Sequence, residues 1–463
     1  MPSLVSISAA PDLLPRLTSE SLPPSHRWFP SMRLGLFVHW GPYAVYGRGE
    51  QVLFREHLDQ RDYERRACAW NPHHFDADEI VRLAKEAGAG YAVLTTRHHD
   101  GYCLWDSALT DYTSMAQAPR RDFVAEYVEA CRKAGIRVGL YYSLADWRIP
   151  AYWLGPGKDP EGWAAFRRYV HGQVEELLTR YGKIDVLWFD GPWPHNAAAW
   201  ESEELVRMIR RLQPGILINN RLDAQSQVGG PEQAGASRDL GDFGTPEHHI
   251  TADDDRLWES CQVTTWRLWG YARGEHYRSA EQLLDLLCHS ASQGGNLLLN
   301  IGLDAQGCVP VPASRALQRV GRWLQHHGEA IYNTAKGDLS EFVTYGYQTR
   351  RGNTLYLIFR FWPGAPVARV AGIKTPCRSA TLLATGEELP VKTVSDGLEI
   401  SGLPIDAPCE LFPVIRLEFD RSPQLHSWAE DRLWAGDPGR MAGWAMARGS
   451  SMNATTLKEE SSQ

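Results

Sequence analysis

The chain has 463 residues, with 48 basic and 56 acidic side chains and a formal charge of −8; no basic cluster is long enough to follow a phosphate backbone, so nucleic acid is excluded as the expected partner. No apolar run approaches the roughly 20 residues of a membrane-crossing helix, and Met1 to Ser19 has neither a basic start nor an unbroken apolar core, so a cytoplasmic protein is expected unless a leader has been removed. The eight cysteines are scattered singly, without the close pairs of a zinc site or the density of a disulfide scaffold.

Residues 1–28 read as an N-terminal extension. From Phe29 onward, short apolar runs alternate with helical patterns. Leu34 to Trp40 is apolar up to His39-Trp40, and Tyr91 to Thr96 runs into Arg97-His98-His99-Asp100-Gly101. Val138 to Ser143, Val186 to Asp190, Gly215 to Arg221 and Gly295 to Gly302 repeat the pattern. Between them, Asp76 to Gly88 and Asp122 to Gly135 carry apolar residues at helical spacing behind an aspartate cap and before a terminating glycine. Further helices are predicted at Gly162 to Tyr181, Glu203 to Leu212, Ser279 to Gln293 and Ser314 to His327. Such alternation implies parallel strands with right-handed crossovers, and the fold class predicted is α/β, a (β/α)8-like TIM barrel over residues 29–335. No glycine-rich phosphate loop opens any of the helices, which removes the support for a dinucleotide-binding open sheet. From about Glu341 the runs become short and β-rich, punctuated by glycine and proline, and predict a small antiparallel β-sandwich over 336–420. Residues 421–463 read as a flexible tail, although Trp428, Trp434 and Trp444 are unusual for one.

In a barrel of parallel strands the reacting groups stand where the strands end. Val186-Leu187-Trp188-Phe189-Asp190-Gly191 ends abruptly in a carboxylate, which makes Asp190 the leading candidate; the alternative is an aspartate that only caps the following turn. Trp40, Trp105, Trp147, Trp188 and Trp193 lie beside the polar strand ends. Flat apolar faces mixed with His, Asp, Glu and Arg suit a sugar, whose hydroxyls need polar partners and whose C–H faces stack on rings. The alternative is that each tryptophan fills the core.

Seven segments, taken in order, carry a specific resemblance: Phe37-Val38-His39-Trp40-Gly41, Leu94 to Tyr102, Gly139 to Ser143, Trp188-Phe189-Asp190-Gly191, Asn219-Asn220-Arg221, Gly241 to Glu247 and Gly294 to Gly302. Over about Phe29 to Tyr332 the chain resembles the α-L-fucosidases of glycoside hydrolase family 29. The resemblance implies a catalytic barrel followed by a β-sandwich, exo-acting hydrolysis of terminal α-L-fucose from oligosaccharides or glycoconjugates, retention through a covalent intermediate, and no cofactor or metal. Carried over position by position, Asp190 matches the nucleophile and Glu247 the acid/base, with Glu259 in Trp258-Glu259-Ser260 as the alternative. His39, His98 and His99 match histidines that grip fucose hydroxyls; Tyr141, Trp188 and Arg221 match further sugar contacts; Phe37 and Trp269 match aromatic positions near the C6 methyl. Glu50 falls in a Gly-Glu-Trp position of the family, but Gln51 stands here where the tryptophan would be.

A retaining glycosidase needs one carboxylate to attack the anomeric carbon and one carboxylic acid to protonate the leaving oxygen, roughly 5 to 5.5 Å apart. Their environments must differ. Two other readings use the same residues: a metal-dependent barrel hydrolase built on His39, His98, His99 and Asp190, and a catalytically silent fucose-binding protein. Adjacent histidines point to opposite faces of a strand, which argues against joint ligation. Asp253-Asp254-Asp255 and Glu203-Glu204 read as solvated charge, and Arg221 as either a sugar contact or a partner of a nearby aspartate.

Overall fold

The computed structural model describes residues 22–224, 240–337, 339, 345–394 and 397–425. Trp428, Trp434 and Trp444 of the predicted tail lie outside them. The chain divides into two compact units, the first ending at Ala335 and the second beginning at Lys336.

The first unit is a ring of eight parallel strands: β1 (Leu34–His39), β2 (Tyr91–Arg97), β3 (Arg137–Ser143), β4 (Val186–Asp190), β5 (Leu217–Ile218), β6 (Phe243–Gly244), β7 (Leu257–Val263) and β8 (Asn296–Gly302). They stand in the order β5-β4-β3-β2-β1-β8-β7-β6. A parallel bridge between Asn219 and Phe243 joins the two ends of that order, so the sheet closes on itself. Six of these strands are the apolar runs predicted from the sequence; β6 and β7 were not among them. Strands β1, β2, β7 and β8 are buried along their whole length, as expected of a sheet covered by helices on one side and filled by side chains on the other.

The helices form where the capping signals put them. Asp76 and Asp122 each accept the backbone N–H three residues on, starting helices Ala77–Glu86 and Phe123–Ala134, and Gly135 ends the second in the left-handed conformation. Ser279 and Gln282 form a reciprocal capping box at the start of Ala280–Ser292. The lower end of the barrel is filled by aromatic residues: Trp28 and Phe29 pack with Tyr91 and Phe243, and Leu22 belongs to the same buried cluster. The segment just before Phe29, predicted as an extension, therefore supplies core side chains.

The second unit contains two antiparallel sheets. One has six strands in the order β14-β13-β17-β11-β10-β9 and the other three in the order β12-β16-β15. Their ranges are β9 (Ala335–Lys336), β10 (Gly346–Arg351), β11 (Thr354–Phe359), β12 (Val367–Ala371), β13 (Ser379–Leu382), β14 (Glu387–Leu389), β15 (Val391–Val394), β16 (Gly397–Ser401) and β17 (Val414–Glu418). Leu355, Leu357, Leu382 and Leu417 of the larger sheet share one buried cluster with Val370, Leu398 and Ile400 of the smaller, which is the face-to-face packing of a sandwich.

Candidate active site

A pocket of about 840 Å³ opens at the strand exits of the barrel. It is lined by eleven of the twelve residues singled out from the sequence: Phe37, His39, Glu50, His98, His99, Tyr141, Trp188, Asp190, Arg221, Glu247 and Trp269. The twelfth, Glu259, lies elsewhere.

Asp190 is the last residue of β4, and its carboxylate is held by two donors, with His99 beside it. The Tyr141 hydroxyl donates to Oδ2 at 3.0 Å, Arg221 Nη1 donates to Oδ1 at 3.1 Å, and His99 Nε2 stands 3.6 Å from Oδ2. Burial by itself pushes this carboxyl up. The Arg221 charge, with the Tyr141 hydroxyl and the Gly191 N–H, outweighs burial and holds it below the usual aspartate range. Asp190 is thus kept ionised.

Arg221 leaves β5 by way of Asn219-Asn220 and is itself immobilised. Its Nε donates to Thr245 Oγ1 at 2.9 Å, and its guanidinium lies over the Trp188 ring at 4.6 Å. The second terminal nitrogen, Nη2, meets Glu247 Oε2 at 2.9 Å. One guanidinium therefore spans both carboxyl groups. Glu247 stands three residues beyond β6, where a bridge to Cys261 fixes its backbone and Trp269 Nε1 donates to Oε1 at 3.2 Å. Its side chain is 38% exposed against 14% for Asp190, so Glu247 sits toward the mouth and Asp190 toward the floor.

The histidines are neutral and their tautomers are set by neighbours. Ser143 Oγ donates its one proton to the Ala145 carbonyl, so it accepts from His99 Nδ1 at 2.7 Å. His39 Nδ1 meets Asn300 Oδ1 at 2.7 Å, while Asn300 Nδ2 donates to the Trp269 carbonyl. Burial lowers His39 to about 3 and His99 to about 4. In both rings Nε2 is left as an acceptor for a hydroxyl. His98 lies parallel to Tyr141 with ring centroids 5.7 Å apart, and burial pushes its imidazole down as well. Strand β2 ends at Arg97, one residue before the pair. The strand rule of opposite faces therefore does not apply to His98 and His99, and both line the pocket.

The apolar wall consists of Phe37, Trp188 and Trp269, with Phe37 5.1 Å from Trp188 and 6.0 Å from Trp269. Glu50 faces the pocket but also anchors that wall, its Oε2 accepting the N–H groups of Trp269 at 3.1 Å and Gly270 at 2.8 Å. Gln51, the departure from the family pattern, lines the pocket too. Among the described residues no group of three or more His, Cys, Asp and Glu is arranged to hold a metal ion, including the four considered from the sequence.

Glu259 lies inside the barrel, below the pocket. It is fully buried on β7, accepting Trp188 Nε1 at 2.9 Å on one oxygen and the Tyr91 hydroxyl on the other. Burial raises its carboxyl to about 7 from an ordinary 4.5. Its acid therefore ionises more readily in the unfolded chain, and the folded state loses stability as pH rises from about 4.5 towards 7. Glu259→Gln is expected to flatten this trend: the melting temperature of the wild type, measured against the variant, should fall across that interval. Parallel curves would show that Glu259 does not titrate there.

Asn300, Ser143 and Thr245 orient the site residues but were not anticipated as such. Their signal was position: Ser143 ends β3, Thr245 follows β6, and Asn300 stands two residues before the end of β8. Asp253-Asp254-Asp255, read as solvated charge, lines the outer pocket together with His249 and Arg256.

The family model described as Alpha-L-fucosidase matches residues 5–329. The tissue alpha-L-fucosidase of Rattus norvegicus is 30% identical over 401 residues, covering 81% of this chain and 84% of the rat protein. Among solved structures, alpha-L-fucosidase isoenzyme 1 from Paenibacillus thiaminolyticus superposes with a TM-score of 0.78 at 35% identity, covering 86% of this chain and 99% of that one. A family 29 α-L-fucosidase from Bacteroides thetaiotaomicron, trapped as a covalent intermediate with 2-fluoro-fucosyl fluoride, gives a TM-score of 0.78 at 29% identity, covering 86% and 96%. Since the matched segment carries the whole barrel and every residue lining the pocket, the chain belongs to the α-L-fucosidase family of glycoside hydrolases.

Proposed function

We propose that this enzyme removes terminal α-L-fucose from oligosaccharides or glycoconjugates with retention of configuration, Asp190 acting as nucleophile and Glu247 as acid/base. The observation that carries this reading is the Arg221 guanidinium, which meets Asp190 with Nη1 and Glu247 with Nη2 in one pocket. In the first step an Asp190 oxygen bonds to the anomeric carbon as the glycosidic bond breaks, and Glu247 gives its proton to the departing oxygen. In the second, Glu247 takes a proton from water, whose oxygen bonds to the anomeric carbon and releases Asp190. Arg221 suits this exchange of roles. One cation offsets one negative charge; once Asp190 is an ester, that charge is left to the Glu247 carboxylate.

The remaining residues bind the sugar. His39 and His99 offer Nε2 acceptors to hydroxyls, His98 and Tyr141 close the same side, and Phe37, Trp188 and Trp269 give the apolar surface for the C6 methyl and ring C–H groups. Glu50 holds Trp269 in place from behind. The chemistry agrees with the trapped covalent intermediate of the Bacteroides enzyme.

The test is the anomer released first. Proton NMR of an aryl α-L-fucoside digest, recorded before mutarotation, is expected to show α-L-fucose. Initial release of the β anomer would mean a single displacement by water and would remove Asp190 from the role of nucleophile.

A further inference from the structure

The rim of the barrel carries aromatic surface that the fucose pocket does not use. Phe54, in the short helix Val52–Arg55 after β1, is 49% exposed, and Trp153, in helix Pro150–Lys158 after β3, is 50% exposed. Their rings lie nearly parallel, with centroids 5.9 Å apart and an interplanar angle of 12°. Exposed apolar rings of this size are costly unless something covers them. Trp153 is not held out by a need for water, since its Nε1 donates to the Trp147 carbonyl at 2.9 Å.

We propose that Phe54 and Trp153 form a platform for a pyranose ring on the leaving-group side of the scissile bond. The proposal rests on the hydrolase reading above. What argues for a sugar here is continuity with the pocket. Phe54 packs on Trp147 at 5.3 Å, Trp147 on His99 at 5.1 Å, and His99 on Trp193 at 5.1 Å, the last two rings lining the pocket. Gln51 also lines the pocket and is the residue immediately before the helix that bears Phe54. Three residues of helix advance only about 4.5 Å, so the platform begins within about one sugar ring of the mouth. Its edge is polar: Arg55 Nε donates to the Gln51 amide oxygen at 3.0 Å. Flat rings bordered by amide and guanidinium groups match a sugar, with its C–H face and peripheral hydroxyls. All of these residues follow β1, β2, β3 or β4, on the face where the glycan beyond fucose must leave.

The test compares α-L-fucosyl fluoride, whose leaving group has no ring, with the fucosylated trisaccharide that the wild type cleaves fastest. In Phe54→Ala/Trp153→Ala the ratio of kcat/KM for trisaccharide over fluoride is expected to fall about tenfold, mainly through KM, the scale for uncovering one apolar ring face. The defucosylated disaccharide, titrated as an inhibitor, should weaken by a similar factor. An unaltered ratio with unaltered inhibition overturns the proposal, as does an equal fall for both substrates. Loss of self-association on sedimentation, with the ratio intact, would assign the surface to a second copy and also overturn it. A wild type inert towards the fluoride would refute the hydrolase reading instead, and disaccharide binding to the two proteins would still decide the platform.

Discussion

Asp190→Gly is expected to lower turnover of an aryl α-L-fucoside on the order of 10³-fold or more, because no other carboxylate can form the covalent intermediate from the pocket floor. The deletion leaves a specific void. Tyr141, Arg221 and His99 all direct a polar atom towards the missing side chain. Azide fits such a space and is anionic, so Arg221 attracts it. It is expected to restore part of the turnover and to yield β-fucosyl azide, inverted relative to the substrate, since it enters from the side Asp190 vacates. Steady-state rates with and without azide, and NMR of the product, check both. Near-wild-type turnover in the variant, or α-fucosyl azide as product, would show that Asp190 is not the nucleophile.

Glu247→Ala is expected to separate substrates by leaving group. Activated phenols need little protonation and should retain their first step, whereas an oligosaccharide should lose on the order of 10² to 10⁴ in kcat/KM. Azide should accelerate breakdown of the accumulated intermediate and give α-fucosyl azide. Glu259→Ala supplies the contrast. Both Glu259 oxygens are taken by Tyr91 and Trp188, and the side chain is fully buried beneath the pocket. Its loss should lower both substrates alike, together with the melting temperature, because an unpaired indole N–H and phenol are left in the core. Pre-steady-state bursts with a nitrophenyl fucoside and steady-state rates with an oligosaccharide measure the split. If Glu259→Ala shows it and Glu247→Ala does not, the two roles exchange.

The strands that could be read from the sequence are those whose apolar run ends in polar residues, and they placed Asp190, His39 and the His98-His99 pair at the pocket. Strand β7 escaped because Glu259, Ser260 and Gln262 are polar yet buried. The partners of Glu259, Tyr91 and Trp188, come from distant parts of the chain, and the His249 carbonyl that pairs with Ser260 stands 11 residues upstream, outside the strand, so none leaves a trace in the strand's own pattern. Strand β6 has two residues and no pattern to show. Helix Gln60–Ala69 was equally invisible: only Tyr63 and Ala67 are buried, so no apolar stripe forms. For the acid/base, the sequence left two glutamates open. What separates them is depth, Glu247 at the mouth and Glu259 inside the barrel, and depth is a property of the closed sheet.

The hydrogen bond between His39 and Asn300 joins the first strand of the barrel to the last, across 261 positions of chain. Asn300 also fixes the Trp269 carbonyl, and Glu50 the two backbone N–H groups that follow it. The pocket wall thus takes part of its support from the docking of the eighth strand against the first. A chain that ends before Asn300 has both carboxylates but lacks the side chain that fixes His39 and the Trp269 carbonyl. On the proposed assignment, recognition of fucose is a report that the ring has closed: a chain that lacks the final strand is expected not to bind the sugar, and bound sugar is expected to favour the state in which β1 and β8 are paired.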